Sequence, residues 1–193
     1  MGAPNAKNVA VGKPQAKGAI FVAPDGTAVP TDAIAPLSPS FAGLGYIHTD
    51  GLNNSITTEN TSVLAWGGDE VLNERTSRSE TFSFQAIENS VEVMKQVFGP
   101  ENVTGTGNTI TVRHNNKEFP EHVYVFELGL GPDRVRRIVV PRAKVTEVGE
   151  MIYIDGEPIG YPITLSALPD ANGDTAIVYD AAVIAVAPEG ESS

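Results

Sequence analysis

Hydrophobic and polar positions alternate most cleanly between Thr81 and Ala86, where Phe82, Phe84 and Ala86 fall on one side of an extended chain and Thr81, Ser83 and Gln85 on the other. A period of two predicts a half-buried strand. The pattern recurs at Val123–Leu128, with Tyr124, Phe126 and Leu128 set against Val123 and Val125. Shorter apolar or β-branched runs predict strands at Gly18–Ala23, Phe41–His48, Leu52–Thr58, Val63–Trp66, Val71–Thr76 and Asn108–Arg113. Others lie at Arg134–Val140, Ala143–Val148, Met151–Ile154, Ile159–Leu168 and Thr175–Ala185. Asp50-Gly51, Asp155-Gly156 and Asn172-Gly173 are dipeptides favoured in two-residue hairpin turns, and Gly67-Gly68 separates two strand candidates. Pro141 lacks a ladder donor and predicts an edge, a bulge or a break.

One segment changes period. Val91, Met94 and Phe98 are spaced as one face of a helix, Asn89 is placed to cap it with Glu92 three residues on, and Gly99-Pro100 ends it. So short a helix is marginal alone and must pack its stripe on a sheet. Between Pro24 and Ser40, Pro30, Pro36 and Pro39 interrupt any periodicity, which predicts an extended loop. A loop of that length is expected to serve as an arm on a neighbouring molecule, and its deletion to leave a folded subunit that loses that contact. The organisation expected is an N-terminal arm over 1–17, a β domain over 18–185 containing the 24–40 loop, and a flexible tail over 186–193.

Composition supports short strands joined by turns, with 19 Gly, 14 Pro and no Cys. Without cysteine there are no disulfides, thiolate metal sites or thiol nucleophiles. The apolar runs fall short of the roughly 20 residues that span a membrane, and Lys7 and Lys13 are not followed by the apolar stretch of a secretory signal. The chain therefore reads as soluble, with no membrane anchor.

Charge is divided along the chain. Lys7, Lys13 and Lys17 precede the first acid, Asp25, while Lys144 is the last basic residue before Glu147, Glu150, Asp155, Glu157, Asp170, Asp174, Asp180, Glu189 and Glu191. Such polarity favours end-to-end association and repels polyanions. A net charge of −11 argues against a sequence-specific nucleic-acid reader.

His48, His114 and His122 lie on separate strand candidates without ligand-like pairing, which favours ordinary polar roles. Asp170, Asn172 and Asp174 resemble the start of a calcium loop, but the glycine is misplaced and Ala181 stands where the closing Glu belongs. No nucleophile elbow or phosphate loop occurs, so neither a catalytic residue nor a cofactor or metal is expected. Arg134, Arg136, Arg137, Arg142 and Lys144 split between two faces of a strand. Ion pairing with acids of the same or a neighbouring subunit is favoured over a nucleic-acid patch.

The segment Leu64-Ala65-Trp66-Gly67-Gly68-Asp69, then Thr76–Phe84 and a helix ending Val97-Phe98-Gly99, resembles the major tail proteins of long-tailed phages of actinobacteria. So do Arg136-Arg137-Ile138-Val139-Val140-Pro141-Arg142-Ala143, Gly156-Glu157-Pro158-Ile159-Gly160-Tyr161 and Leu165–Asp170. The opening Gly18-Ala19-Ile20-Phe21, ahead of the Pro-rich loop and Gly43-Leu44-Gly45-Tyr46, extends the resemblance over nearly the whole chain. It implies a mainly β subunit, a sandwich or partial barrel with one flanking helix and extended arms. Six copies would close a ring by continuing one another's sheets, and rings would stack head to tail into a tube. That tube would surround the tape-measure protein, meet tail terminator and distal tail proteins at its ends, and pass phage DNA without sequence-specific binding. Such tails are assembled in the cytoplasm of the bacterial host.

For such a tube an acidic wall keeps DNA from adhering. Asp69, Glu70, Glu74, Glu80, Glu147 and Glu150 are the candidate lumen acids. Candidate interface residues are Lys7, Lys13, Lys17, Pro30, Pro36, Pro39, Arg134, Arg136, Arg137 and Arg142. The rival readings are an Hcp-like tube or ring protein of another injection apparatus, and a tail-associated carbohydrate-binding or hydrolytic module. The latter needs exposed aromatics on one face, whereas Trp66, flanked by glycine, reads as a packing anchor.

Overall fold

A computed structural model describes residues 10–14, 18–106 and 109–182. The strands are β1 (Gly12–Pro14), β2 (Ile20–Pro24), β3 (Ala42–Gly43), β4 (Ile47–Leu64), β5 (Glu70–Ala86), β6 (Val103–Thr106) and β7 (Thr109–Val112). They continue with β8 (Glu121–Leu130), β9 (Arg134–Val148), β10 (Tyr161–Ala167) and β11 (Ile177–Ala182), and helix α1 (Val91–Phe98) follows β5. The main sheet is antiparallel, in the order β3-β2-β8-β9-β10-β5-β4. β1, from within the segment read as an arm, pairs with the end of β8 beside β2. β10 and β11 share the other edge of β9, one on each half.

This sheet is strongly curled. Phe82 on β5 and Phe126 on β8 are three strand spacings apart, about 14 Å in a flat sheet, yet their rings stack at 5.2 Å. Curling closes one face around Ile20, Leu44, Phe82, Phe84, Tyr124, Phe126, Val140, Ile163 and Leu165. The sheet stays open between β4 and β3. Helix α1 packs on the core through Val93, Met94 and Val97. Its buried Gln96 accepts the Tyr124 hydroxyl at 2.5 Å, and burial pushes that phenol well above its ordinary pKa.

The alternation at 81–86 holds: Phe82, Phe84 and Ala86 are buried. Pro141 sits at a bulge, where the β8–β9 register shifts between His122 and Tyr124, and the two expected strands on either side form one. The helix is capped by the Ser90 hydroxyl, which accepts from the Val93 amide at 3.3 Å, rather than by Asn89. Asp50-Gly51 is no hairpin turn. The chain passes through it as a bulge, because Gly51 at φ 72° serves an irregular strand as readily as a turn, and residues 52–58 continue outward instead of returning.

Met151–Ile154 forms no ladder, and Asp155-Gly156 turns within the loop joining β9 to β10. Asn172-Gly173 lies in a turn in which the Asp170 carboxylate accepts the Asn172 and Asp174 amides at 2.8 and 2.9 Å. The flanking strands pair with β9 rather than with each other.

Candidate assembly surfaces

β4 and β5 leave the body together. From Asn53 to Leu64 and from Glu70 to Ser79 every residue is exposed, so the outer ribbon has no packed face in the protomer. At the rise of an extended chain it projects about 30 Å. Its tip is closed by the Ala65 amide donating to the Asp69 carbonyl at 2.8 Å and the Gly68 amide to the Ala65 carbonyl at 3.0 Å. Gly67 and Gly68 take positive φ there. Trp66 is wholly exposed at this tip, with exposed Val63, Leu64, Val71 and Leu72 beside it. The expected packing anchor is therefore corrected: a glycine-flanked reversal at the end of a bare ribbon offers the indole nothing to pack on within the chain.

The ribbon is tied at its foot by Glu80, whose carboxylate accepts Asn54 Nδ2 at 3.0 Å, Arg78 Nη2 at 3.0 Å and the Thr175 hydroxyl at 2.5 Å. Burial raises the pKa of this acid, but the hydrogen bonds from Thr175, Asn54 and Arg78 and the Arg78 charge outweigh it and hold the carboxyl below its ordinary value. Glu80 is thus a buried link between β4, β5 and the chain entering β11, not a free surface charge. The other candidate acids are exposed. Asp69, Glu70 and Glu74 lie on the ribbon, while Glu147 and Glu150 lie where β9 runs out at the opposite end of the molecule.

Arginines hold the body's second face. Arg137 is buried, pairs with Glu127, and donates to the carbonyls of Asp32 and Ala35 at 2.8 and 2.9 Å. The Pro-rich loop is thereby tied to the face of β8 and β9 that carries buried Val123, Val125 and Val139. Pro30 is half-buried in it, and Pro36 and Pro39 are exposed. Arg136 grips Asp180 through two contacts of 2.7 Å, with Arg134 at 3.7 Å from the same acid. The Arg136 hydrogen bonds, opposed by burial and helped by both arginine charges, lower the Asp180 pKa. Arg142 pairs with Glu121 at 2.8 Å and Lys144 with Glu118 at 3.0 Å. These pairs lie within the chain, one of the two alternatives expected for this cluster. Lys13 is exposed on β1, and Lys7 and Lys17 lie outside the described residues.

His48 contacts Asp50 at 2.9 Å, His114 packs on Phe98 with ring centres 4.6 Å apart, and His122 lies edge-on to Tyr124. Among the described residues no cluster of three or more potential ligands could hold a metal, and no helix is long and apolar enough to cross a membrane. The ribbon was the feature that sequence reasoning missed. Its signal was present: Asn53–Ser62 is polar at both parities, with Ile56 the single apolar residue, so neither face of the strand has a core to meet.

The two longest strands of this antiparallel subunit stand clear of its own body. The phage tail tube protein family matches this chain over residues 3–188, and the chain belongs to that family. It is a structural component of the virion's tail, and not an enzyme. A comparison with curated proteins gave no match. Among solved structures, a chain from the virion of a native gene transfer agent particle is 12% identical, with 85% of this chain and 93% of that one covered and a TM-score of 0.38. A chain of an extracellular contractile injection system, the PVC sheath–tube complex in its extended state, is 12% identical, with coverage of 94% and 100% and a TM-score of 0.44.

Proposed function

We propose that copies of this chain close into six-membered rings that stack into the hollow tail tube of a long-tailed phage, around the tape-measure protein and between terminator and distal tail proteins. The tube later conducts DNA into the host. Within the family, one observation supports this reading most: the β4–β5 ribbon presents two unpacked faces and the free edge of β4. An isolated two-stranded ribbon is marginal in water, so its natural state is one in which neighbours cover it.

Asp69, Glu70, Glu74, Glu147 and Glu150 supply wall charge in this proposal, and Glu80 is left out because its carboxylate is buried and paired. Pro30, Pro36, Pro39 and Lys13, with Lys7 and Lys17, are the contacts offered to neighbours. Arg134, Arg136, Arg137 and Arg142 act indirectly: Arg137 holds the Pro-rich loop, Arg142 holds Glu121 and the Pro169 carbonyl, and Arg134 and Arg136 hold Asp180 on β11. Electron microscopy of concentrated purified protein tests the reading. Rings or tubes with an axial hole, six-fold in end view, are expected; a lasting monomer that binds glycans through Trp66 would overturn it.

A further inference from the structure

Asn172 is the one asparagine of this chain that is followed by glycine. It stands in the turn between β10 and β11, where residues 171–174 are exposed. The Asp170 carboxylate meets it twice: Oδ1 accepts the Asn172 amide at 2.8 Å, and Oδ2 lies 3.4 Å from the side-chain Nδ2. The Gly173 amide donates to the Asp170 carbonyl at 3.1 Å. The Asp174 amide foremost, then the Asn172 amide and side chain and the Gly173 amide, hold the Asp170 carboxyl below its ordinary pKa against the opposing effect of burial. One ionised carboxylate therefore stands beside both nitrogens of an asparagine cyclisation, the Gly173 nitrogen that attacks and the Asn172 Nδ2 that leaves. Gly173, at φ 89°, sets no side chain over the attacking nitrogen.

We propose that Asn172 is a self-modification site, at which the folded turn converts the asparagine to aspartate and isoaspartate with Asp170 as the general acid–base group. The Gly173 nitrogen bonds to Asn172 Cγ and gives its proton to Asp170. The Cγ–Nδ2 bond then breaks, Asp170 returns the proton, and Nδ2 leaves as ammonia. A cyclic imide remains. Water adds to either of its carbonyls and reopens it, so an amide and a water are consumed while a carboxylic acid and an ammonia form.

The setting gives this reaction a structural outcome. Thr175, which follows the turn, donates its hydroxyl to Glu80 and accepts from Arg78 Nη1 at 3.1 Å, so the turn and the foot of the ribbon are held together. Conversion sets a new carboxylate beside Asp170 and Asp174, where like charges repel, and the isoaspartyl product also lengthens the backbone by a methylene. Both changes loosen the hold of Thr175 on Glu80. The site acts as a slow, one-way clock on the ribbon foot, and it needs no second copy of the chain.

Prolonged incubation of the folded chain at neutral pH tests this, read by peptide mass spectrometry and by isoaspartyl methyltransferase labelling. Conversion at Asn172 ahead of every other asparagine is expected. Asp170→Asn keeps an oxygen for the Asn172 and Asp174 amides but removes the base, and should slow conversion roughly tenfold, less than a fully aligned general acid–base group supplies. An intact Asn172 in the wild type, or equal rates in the two proteins, would overturn the proposal. Unfolding the wild type in urea, which frees Asp170 from its fixed contacts, should also slow conversion; acceleration would overturn the role of the folded turn. Amide exchange at Glu80 and Thr81 should rise with the converted fraction and stay constant in Asn172→Gln. An equal rise in that variant would overturn the link to the ribbon.

Discussion

Arg137 and Glu127 face each other across β8 and β9 as a buried ion pair, and the same guanidinium holds two carbonyls of the Pro-rich loop. Removing one member of a buried pair leaves the other uncompensated, which costs about 3–5 kcal/mol. Arg137→Ala is expected to lose stability on that scale in urea denaturation of the protomer. Limited proteolysis should then cut within residues 25–40, whereas the wild type resists. Deleting 24–40 outright is a poorer experiment than the sequence alone suggested, because it uncovers the face bearing Val123, Val125 and Val139 together with the Arg137 charge.

Glu80 gives stability a pH dependence of defined sign. Its folded pKa lies below the ordinary 4.5, so its contribution is complete above that value and is lost as pH falls through the lower folded value. Glu80→Gln should cost about 1–3 kcal/mol at neutral pH. The variant should also lose less stability than the wild type on acidification, as read from denaturation midpoints at a series of pH values.

The ribbon should be the least protected part of the free protomer. Amide exchange at residues 53–64 and 70–79 is expected to be fast in the protomer, apart from the foot near Glu80, while β8 and β9 exchange slowly. In assembled tubes the same amides should slow by at least tenfold. Equal exchange in the two states would mean that neighbours leave the ribbon bare.

Raised salt should leave stacking intact or lengthen tubes. The exposed acids Asp69 and Glu70 at the ribbon tip and Glu147 and Glu150 where β9 ends repel their like in neighbouring copies, and the screening length falls to about 3 Å at 1 M ionic strength. Sedimentation across a salt series measures this. Dissolution into rings at high salt would assign the axial contact to ion pairs, such as those available to the lysines near the N-terminus.

Local pattern revealed the strands that touch the core and little of how they are used. Phe82, Phe84 and Ala86 announce a buried face because period two is a property of the strand itself. Pro141 announces its bulge for an equally local reason. Strand alternation sets Arg137 on the opposite face from Arg134 and Arg136, but only its register opposite Glu127, and a loop a hundred residues earlier in the chain, bury it. Glu80 read as a free acid because Thr175, which helps to bury it, is remote in sequence. Met151–Ile154 has strand composition but no partner in the protomer, and no local rule reports a missing partner. Of the candidate assembly surface, the exposure of Trp66 was hidden behind the usual burial of aromatic residues.

The link at Glu80 also makes the ribbon a lever. With its fulcrum where β4, β5 and Thr175 meet and an arm of about 30 Å, a tilt of about 1° at the foot moves Trp66 by about 0.5 Å. Neighbours that hold the ribbon can then shift while the subunit body keeps its shape. Compliance is then concentrated in one hinge per chain, set by the bonds that Asn54, Arg78 and Thr175 make to Glu80.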